Sequence, residues 1–200
     1  MATTDIVTLN ETVEYLRANG AVDSPMLATF IASASATIDD IAGPVVQRTV
    51  TGELHNGGQD LIFLRYRPVV SVTTCKEYDR SGTSTTLTAE TVSSKPAAGY
   101  LLEGLTGVVR RRASGSPTWF AAGERNVEVT YVAGRAATTS AVDARFKLAC
   151  LVTLAHVWRV ELGTGNTFGA PEGFSPSGFA VPNRALEILG HDVQIRAGVA

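Results

Sequence analysis

The sequence predicts an α+β fold, a helical body interrupted by an inserted β-module, and three observations predict it. Apolar residues recur at helical spacing over the first forty-odd positions and again beyond position 140. Between these stretches the chain turns to short β-branched runs punctuated by glycines, which reads as an antiparallel β-sandwich or small barrel. At 200 residues and 44% hydrophobic composition, the chain is long enough to bury a real core in one domain or two small lobes. The expected boundaries are 1–44 for two N-terminal helices and 45–134 for the β-module. Residues 135–200 hold a long central helix, a Gly/Ser/Pro-rich arm, a short C-terminal helix and a tail, forming one structural unit with 1–44.

The first helix is opened by Thr8 or Asn10 as a cap, carries Leu9, Val13 and Leu16, and is stopped by Gly20. The second starts at Asp23-Ser24-Pro25, where a capping side chain precedes a proline in the first turn. Leu27, Phe30, Ile31, Ala34, Ile38 and Ile41 form its apolar face, and Gly43-Pro44 ends it. Its other face, with Ser33, Ser35 and Thr37, is small rather than charged, so a second element could approach it closely.

From Val45 the period becomes strand-like. Asn56-Gly57-Gly58 carries a hairpin signal. Leu61 to Leu64 is a short apolar strand, and Pro68, lacking a backbone donor, marks a strand start or edge. Val69 to Tyr78 is the longest strand, with Val70, Val72 and Thr74 expected on one side and Val69, Ser71 and Thr73 on the other. Asp79-Arg80-Ser81-Gly82 is a turn. Further strands are expected around 85–87, 100–102, 107–112 and 126–132.

The central helix, with Phe146, Leu148, Leu151, Val152, Leu154, Val157 and Trp158, shows little polar face in its middle, so it must be buried on more than one side. A neighbouring subunit is the natural cover. The segment 163–179 holds Phe168, Phe174 and Phe179 as isolated anchors in a Gly/Ser/Pro-rich background, and a last helix spans 182–189.

Composition narrows the function. Charged residues make up only 18% of the chain, less than the usual quarter, which leaves more surface for other chains to cover. A net charge of −2 argues against gripping nucleic acid by mass electrostatics. The N-terminal stretch MATTDIVTLNETVEY lacks the basic and apolar regions of a secretory signal. The longest apolar run, Leu148 to Trp158, is about half of the ~20 residues a membrane span needs. A cytoplasmic, non-membrane product is expected. Cys75 and Cys150 are two isolated cysteines, read as buried free thiols rather than a disulfide.

Chemistry is thin. His55, His156 and His191 have no metal-ligand spacing, and His156 on a buried helix reads as a hydrogen-bonded core residue. GFSPSG has the wrong spacing for a nucleophile elbow, and no phosphate-cradling loop is present. Gly163-Thr164-Gly165-Asn166 follows a helix rather than the strand a dinucleotide turn requires. Asp39-Asp40 at the end of the second helix is either a contact for a basic partner or an ordinary solvated helix end. Arg110-Arg111-Arg112 is either a contact for DNA phosphate or an acidic partner ring, or a solvated edge strand guarded by charge. Trp119-Phe120 is a core or interface anchor.

One order of motifs is more distinctive than any of them singly. LIFLRYRPVVSVTTCKEYDRSG, a short ladder, NVEVTYVAGRA and a helix running FKLACLVTLAHVW follow an opening TLNETVEYL and DSPMLATFIASASATIDDIAG, and GFAVPNRALEILG comes last. Over about residues 5 to 190 this arrangement resembles the head–tail connector (adaptor, or head-completion) proteins of long-tailed bacteriophages. The resemblance implies a non-enzymatic structural protein of the virion neck, made in the host cytoplasm, with no cofactor and no membrane association. It implies a homo-oligomeric ring, dodecameric by family resemblance, beneath the portal protein. A head-closure (stopper) or tail-completion protein would lie on the other side, and genomic DNA would pass through without sequence-specific binding. By the same resemblance, subunit contacts fall to Phe146, Leu151, Leu154, Trp158, Phe168 and Phe174, and portal contacts to Ile188, Leu189 and the tail from His191. Arg110, Arg111 and Arg112 keep the DNA or acidic-partner role. The partner of the β-module is left open. An alternative is a β-sandwich receptor- or glycan-binding module of a phage particle, which would expose aromatics such as Tyr66, Tyr78 and Trp119. A hydrolase is disfavoured because no acid–base pair is visible.

Overall fold

The computed structural model describes residues 4–17, 24–162 and 181–190. The chain divides into two compact units, a helical one made of 1–46 and 136–200 and a β one made of 47–135. It is α+β, and the helical unit is assembled from both ends of the chain.

In the helical unit, α1 (Leu9–Leu16) is opened by a capping box. Thr8 Oγ1 accepts the Glu11 N–H at 3.2 Å, and Glu11 Oε2 accepts the Thr8 N–H at 2.7 Å. The helix ends at Arg17, which takes the left-handed conformation (φ 51°), while the expected stop, Gly20, lies outside the described residues. Helix α2 spans Ser24–Ala42 and is ended by Gly43 at φ 79°. Helix α3 (Ala144–Leu162) follows a single 3₁₀ turn at Thr139–Ala141, and Asp143 Oδ1 accepts the Arg145 N–H at its start. Helix α4 is Asn183–Leu189, with Pro182 just before it.

One core joins these elements. Ile31, Ala34 and Ile38 of α2 pack with Phe146, Ala149, Cys150 and Leu154 of α3, with Ala185 and Leu189 of α4, and with Ile6 and Val7 of the leading segment. Ser35, on the small polar face that another helix was expected to approach, is buried. Its Oγ accepts the Ile6 N–H at 3.0 Å and lies 3.7 Å from Cys150 Sγ. The β-branched run at Val45 was expected to open the β-module, yet Val45 and Val46 are fully buried in the helical core. The Ala136 N–H donates to Val45 O at 2.9 Å and Val46 bridges Ala136 in parallel, which ties the two ends of the unit together.

Helix α3 is less uniformly buried than its composition suggests. Arg145, Leu148, His156 and Arg159 are exposed and, with half-buried Val152, form one stripe at helical spacing. His156 is therefore a surface residue. The remaining helices of the unit cover the other sides.

The β unit contains β1 (Arg48–His55), β2 (Leu61–Phe63), β3 (Val69–Tyr78), β4 (Ser84–Ala89), β5 (Gly99–Glu103), β6 (Val108–Ala113), β7 (Ser116–Pro117) and β8 (Val127–Ala133). They form one sheet in the order β1-β8-β3-β4-β5-β6-β2, with β7 paired to β6. All pairings are antiparallel except β4 with β5. The two halves of the sheet share one core, in which Ile62, Tyr100 and Val109 meet Cys75, Val127, Val129 and Tyr131.

Two local expectations fail here for physical reasons. Asn56-Gly57-Gly58 does not close a hairpin, because β1 pairs with β8 and β2 with β6. Instead the Gly57 and Gly58 N–H groups donate to Gly123 O and Phe120 O, and a Cβ at Gly57 would fall 1.9 Å from Ala121 O. Strand β3 does not alternate cleanly, since its register with β8 shifts between Val69 and Ser71 and again between Val72 and Thr74. Val69, Cys75 and Glu77 are buried, while Val70, Ser71, Thr73 and Thr74 are exposed.

Leu154→Ala should cost about 2–5 kcal/mol by leaving a cavity in a fully buried position, whereas Leu148→Ala on the exposed stripe should cost less than ~1 kcal/mol. Urea unfolding followed by far-ultraviolet circular dichroism checks the contrast.

Candidate functional site

The polar chemistry of the β unit is concentrated in two places, and both organise structure. The first is a buried ion pair. Arg111 on β6 points inward and meets Glu77 on β3, with Nη2 2.6 Å from Oε1 and Nε 3.2 Å from both carboxylate oxygens. Both side chains are more than nine-tenths buried. Arg111 Nη1 also donates to the carbonyls of Gly99 and Arg112, and Glu77 Oε2 accepts the Ala121 N–H at 3.1 Å. Desolvating two charges is tolerable only when geometry and extra hydrogen bonds compensate, as they do here.

The second centres on Glu53. Its carboxylate accepts from Tyr131 Oη at 2.5 Å and from the Arg65 N–H at 2.9 Å, and His55 Nε2 lies 2.9 Å away. Burial pushes the Glu53 carboxyl up, but hydrogen bonds from His55, Tyr131 and Arg65 outweigh it, so the group sits below its ordinary value. Tyr131 is pushed up by burial and by the Glu53 hydrogen bond. In the helical unit, Cys150 is raised to about 12 by burial, and in the β unit Cys75 is likewise raised to about 12. Both cysteines are free and buried, so neither is an accessible nucleophile. Among the described residues no cluster of His, Cys, Asp or Glu could hold a metal ion, and no helix is long and apolar enough to cross a membrane.

The structure separates the three arginines. Arg110 is exposed on the outer face of the sheet. Arg112 is half-buried and pairs with Glu90 at 3.0 Å, which also holds Lys95 at 2.7 Å. Arg111 is held inside, so it is not a surface contact. Strand β6 is flanked by β5, β2 and β7, so the run does not lie on an edge strand.

The candidate contact residues divide in the same way. Phe146 and Leu154 are buried in the core of their own unit, as is Leu189, which removes them as contact surfaces. The apolar period correctly marks them as inward, and what they face is their own chain. Leu151 and Ile188 are half-buried, and Trp158 packs edge-on against Phe30 with ring centroids 5.6 Å apart. Phe168, Phe174 and His191 lie outside the described residues. Asp39 has a local role, since its Oδ1 accepts the Val45 N–H at 2.9 Å. Of the aromatics that a glycan-binding module would expose, Tyr66 and Tyr78 are half-buried, with Tyr78 Oη donating to Glu128. Trp119 is exposed, while Phe120 beside it is buried.

Sequence reasoning missed the exposed apolar residues Phe63, Leu101 and Leu105 of the β unit. Alternation within β2 and β5 carried a signal for the first two, but only the pairing order shows that they share a face.

The helical unit is built from both ends of the chain, the β unit is an insert in its sequence, and the Arg111–Glu77 and Glu53 groups of that insert are engaged in structural networks. The head completion protein family model matches residues 5–191, and the chain belongs to that family. It is a structural virion protein of the head–tail connector type. Several solved chains share the fold, three of them as follows. One is from the neck of an empty gene transfer agent (GTA) particle in C6 symmetry, at 17% identity and TM-score 0.63, covering 100% of this chain and 96% of that one. Another is from the virion of a native GTA particle, at 18% identity and TM-score 0.59, covering 100% and 99%. A third is from the neck of a native GTA particle in C12 symmetry, at 20% identity and TM-score 0.60, again covering 100% and 99%. No curated protein sequence matches the chain.

Arg111→Ala should destabilise the β unit by about 3–5 kcal/mol by leaving Glu77 buried without its partner, whereas Arg110→Ala should change stability by less than ~0.5 kcal/mol. Thermal melts of the two variants check this. The Glu53 contribution should be present above the ordinary glutamate value of 4.5 and disappear as pH falls through the lower folded value. Wild type should therefore lose more stability than Glu53→Gln across that acid range, as melting temperature against pH will show.

Proposed function

We propose that the chain is one subunit of a homo-oligomeric ring, dodecameric by family resemblance, in the neck of a phage-like particle. One face of the ring meets the portal protein and the other a head-closure (stopper) or tail-completion protein. Genomic DNA passes through without sequence-specific binding, and the chain works as structure, not as a catalyst. The observation that carries this reading is the head completion match spanning both units, from residue 5 to 191. The shared fold with GTA neck chains in C6 and C12 symmetry supports it. So does the low charge, because a mildly acidic chain offers few of the cationic contacts that would hold phosphate.

Negative-stain imaging of the purified chain, alone and with its portal, tests the proposal. Rings that co-sediment with portal are the expected result. A chain that stays monomeric at every concentration and never joins the portal would sink it.

A further inference from the structure

The outer face of the β5-β6-β2 half carries an apolar patch that the core does not use. Register places Leu61, Arg110 and Leu101 in one row across β2, β6 and β5, and Phe63, Val108 and Glu103 in the next row. Period-two alternation puts both rows on the face opposite Ile62, Val109 and Tyr100. Within these rows Val108 is itself buried and Leu61 half-buried, so the exposed apolar surface is that of Phe63 and Leu101. Phe63 is 63% exposed and Leu101 44%. Leu105, at the tip of the β5–β6 connection, is 78% exposed. That tip is fixed by hydrogen bonds from Val69 N–H to Gly104 O and from Leu64 N–H to Gly107 O. A preorganised apolar patch with an exposed arginine in it has the composition of an interface centre.

Charge indicates what covers it. Residues 47–135 hold 11 Lys+Arg against 8 Asp+Glu, a net charge of +3, and the rest of the chain holds 6 against 11, a net charge of −5. Within the acidic unit, α2 has no Lys or Arg and ends in Asp39-Asp40. Its exposed stripe, including Thr29, Ala32, Ser33 and Ala36, is small and leads to Asp40. Carboxylates at a helix C-terminus add to the negative end of the helix dipole, so a cation docked there is favoured.

We propose that the Phe63–Leu101–Leu105–Arg110 face of one subunit docks on the small-residue stripe of α2 in a second copy of this chain, with Arg110 directed toward the Asp39-Asp40 end. Protruding apolar side chains meet a helix face without bulk, and opposite charges set the register. The contact is heterologous, so each copy presents one donor face and one acceptor face, the kind of contact from which rings are built when its rotation closes. The inference rests on the ring proposed above and assigns the β-module its partner within it.

The test uses the full chain and two surface double variants, Phe63→Lys with Leu105→Lys and Ala32→Arg with Ala36→Arg, each confirmed folded by circular dichroism. Analytical ultracentrifugation should show wild type assembled and each double variant monomeric. Mixed one to one, the two variants retain one intact pair of faces and should form a dimer that grows no further. Arg110→Glu, which removes no apolar packing, should weaken assembly about tenfold or more, a rim-charge effect that high salt should reduce. A wild-type ring that survives both double variants, or a mixture that yields no dimer, overturns this contact and leaves the ring standing. A wild type that never assembles, alone or with the portal, overturns the ring and this contact together.

Discussion

The structure depends on one seam, the packing of α2 against α3 across the long stretch of chain that separates them. Ile31, Ala34, Ser35 and Ile38 on one side and Phe146, Ala149, Cys150 and Leu154 on the other are fully or almost fully buried. Neither helix could hide so apolar a face alone. The seam must form despite the loop-closure entropy of the intervening β unit, a cost that grows only slowly with length. The bridge of Val46 to Ala136 and the Ala136–Val45 hydrogen bond bring the exit and return of the insert to one place.

The β unit satisfies a different constraint. Its single sheet must enclose a core between its two halves, and the switch between halves falls at the short parallel pairing of β4 with β5. Glu77 on β3 and Arg111 on β6 lie on opposite sides of that switch, so their ion pair fastens one half to the other and also holds the Ala121 backbone. The Glu53 cluster does similar work from β1, linking Tyr131 on β8 to the backbone at Arg65. Two networks of charge that could pass for chemistry in a list of residues are thus fasteners for a curved sheet. This agrees with the structural role of the head completion family.

Surfaces then acquire their meaning from what the interiors leave over. Among its described residues the helical unit uses most of the large apolar side chains internally and leaves a stripe on α3 and a small-residue face on α2. The β unit leaves an apolar face bearing Arg110. An assembly protein needs stable protomers first and complementary faces second, and the division of residues between core and surface follows that order.

Local patterning along the chain sets the kinds of element and most of their limits. Helical spacing located α2 and α3, a capping signal at Thr8 or Asn10 announced α1, the Asp79–Gly82 turn closed the β3–β4 hairpin, and two isolated apolar contexts marked Cys75 and Cys150 as buried thiols. Local chemistry suffices for these because capping, turn geometry and periodicity act over a few residues. Tertiary structure alone decided which strand pairs with which, so Asn56-Gly57-Gly58 became an anchoring loop instead of a hairpin. It also decided that Arg111 turns inward while Arg110 does not, and that Phe146, Leu154 and Leu189 face their own chain. Period and hydrophobicity mark a side chain as needing cover, but the partner that covers it is set by contacts between residues far apart in the chain.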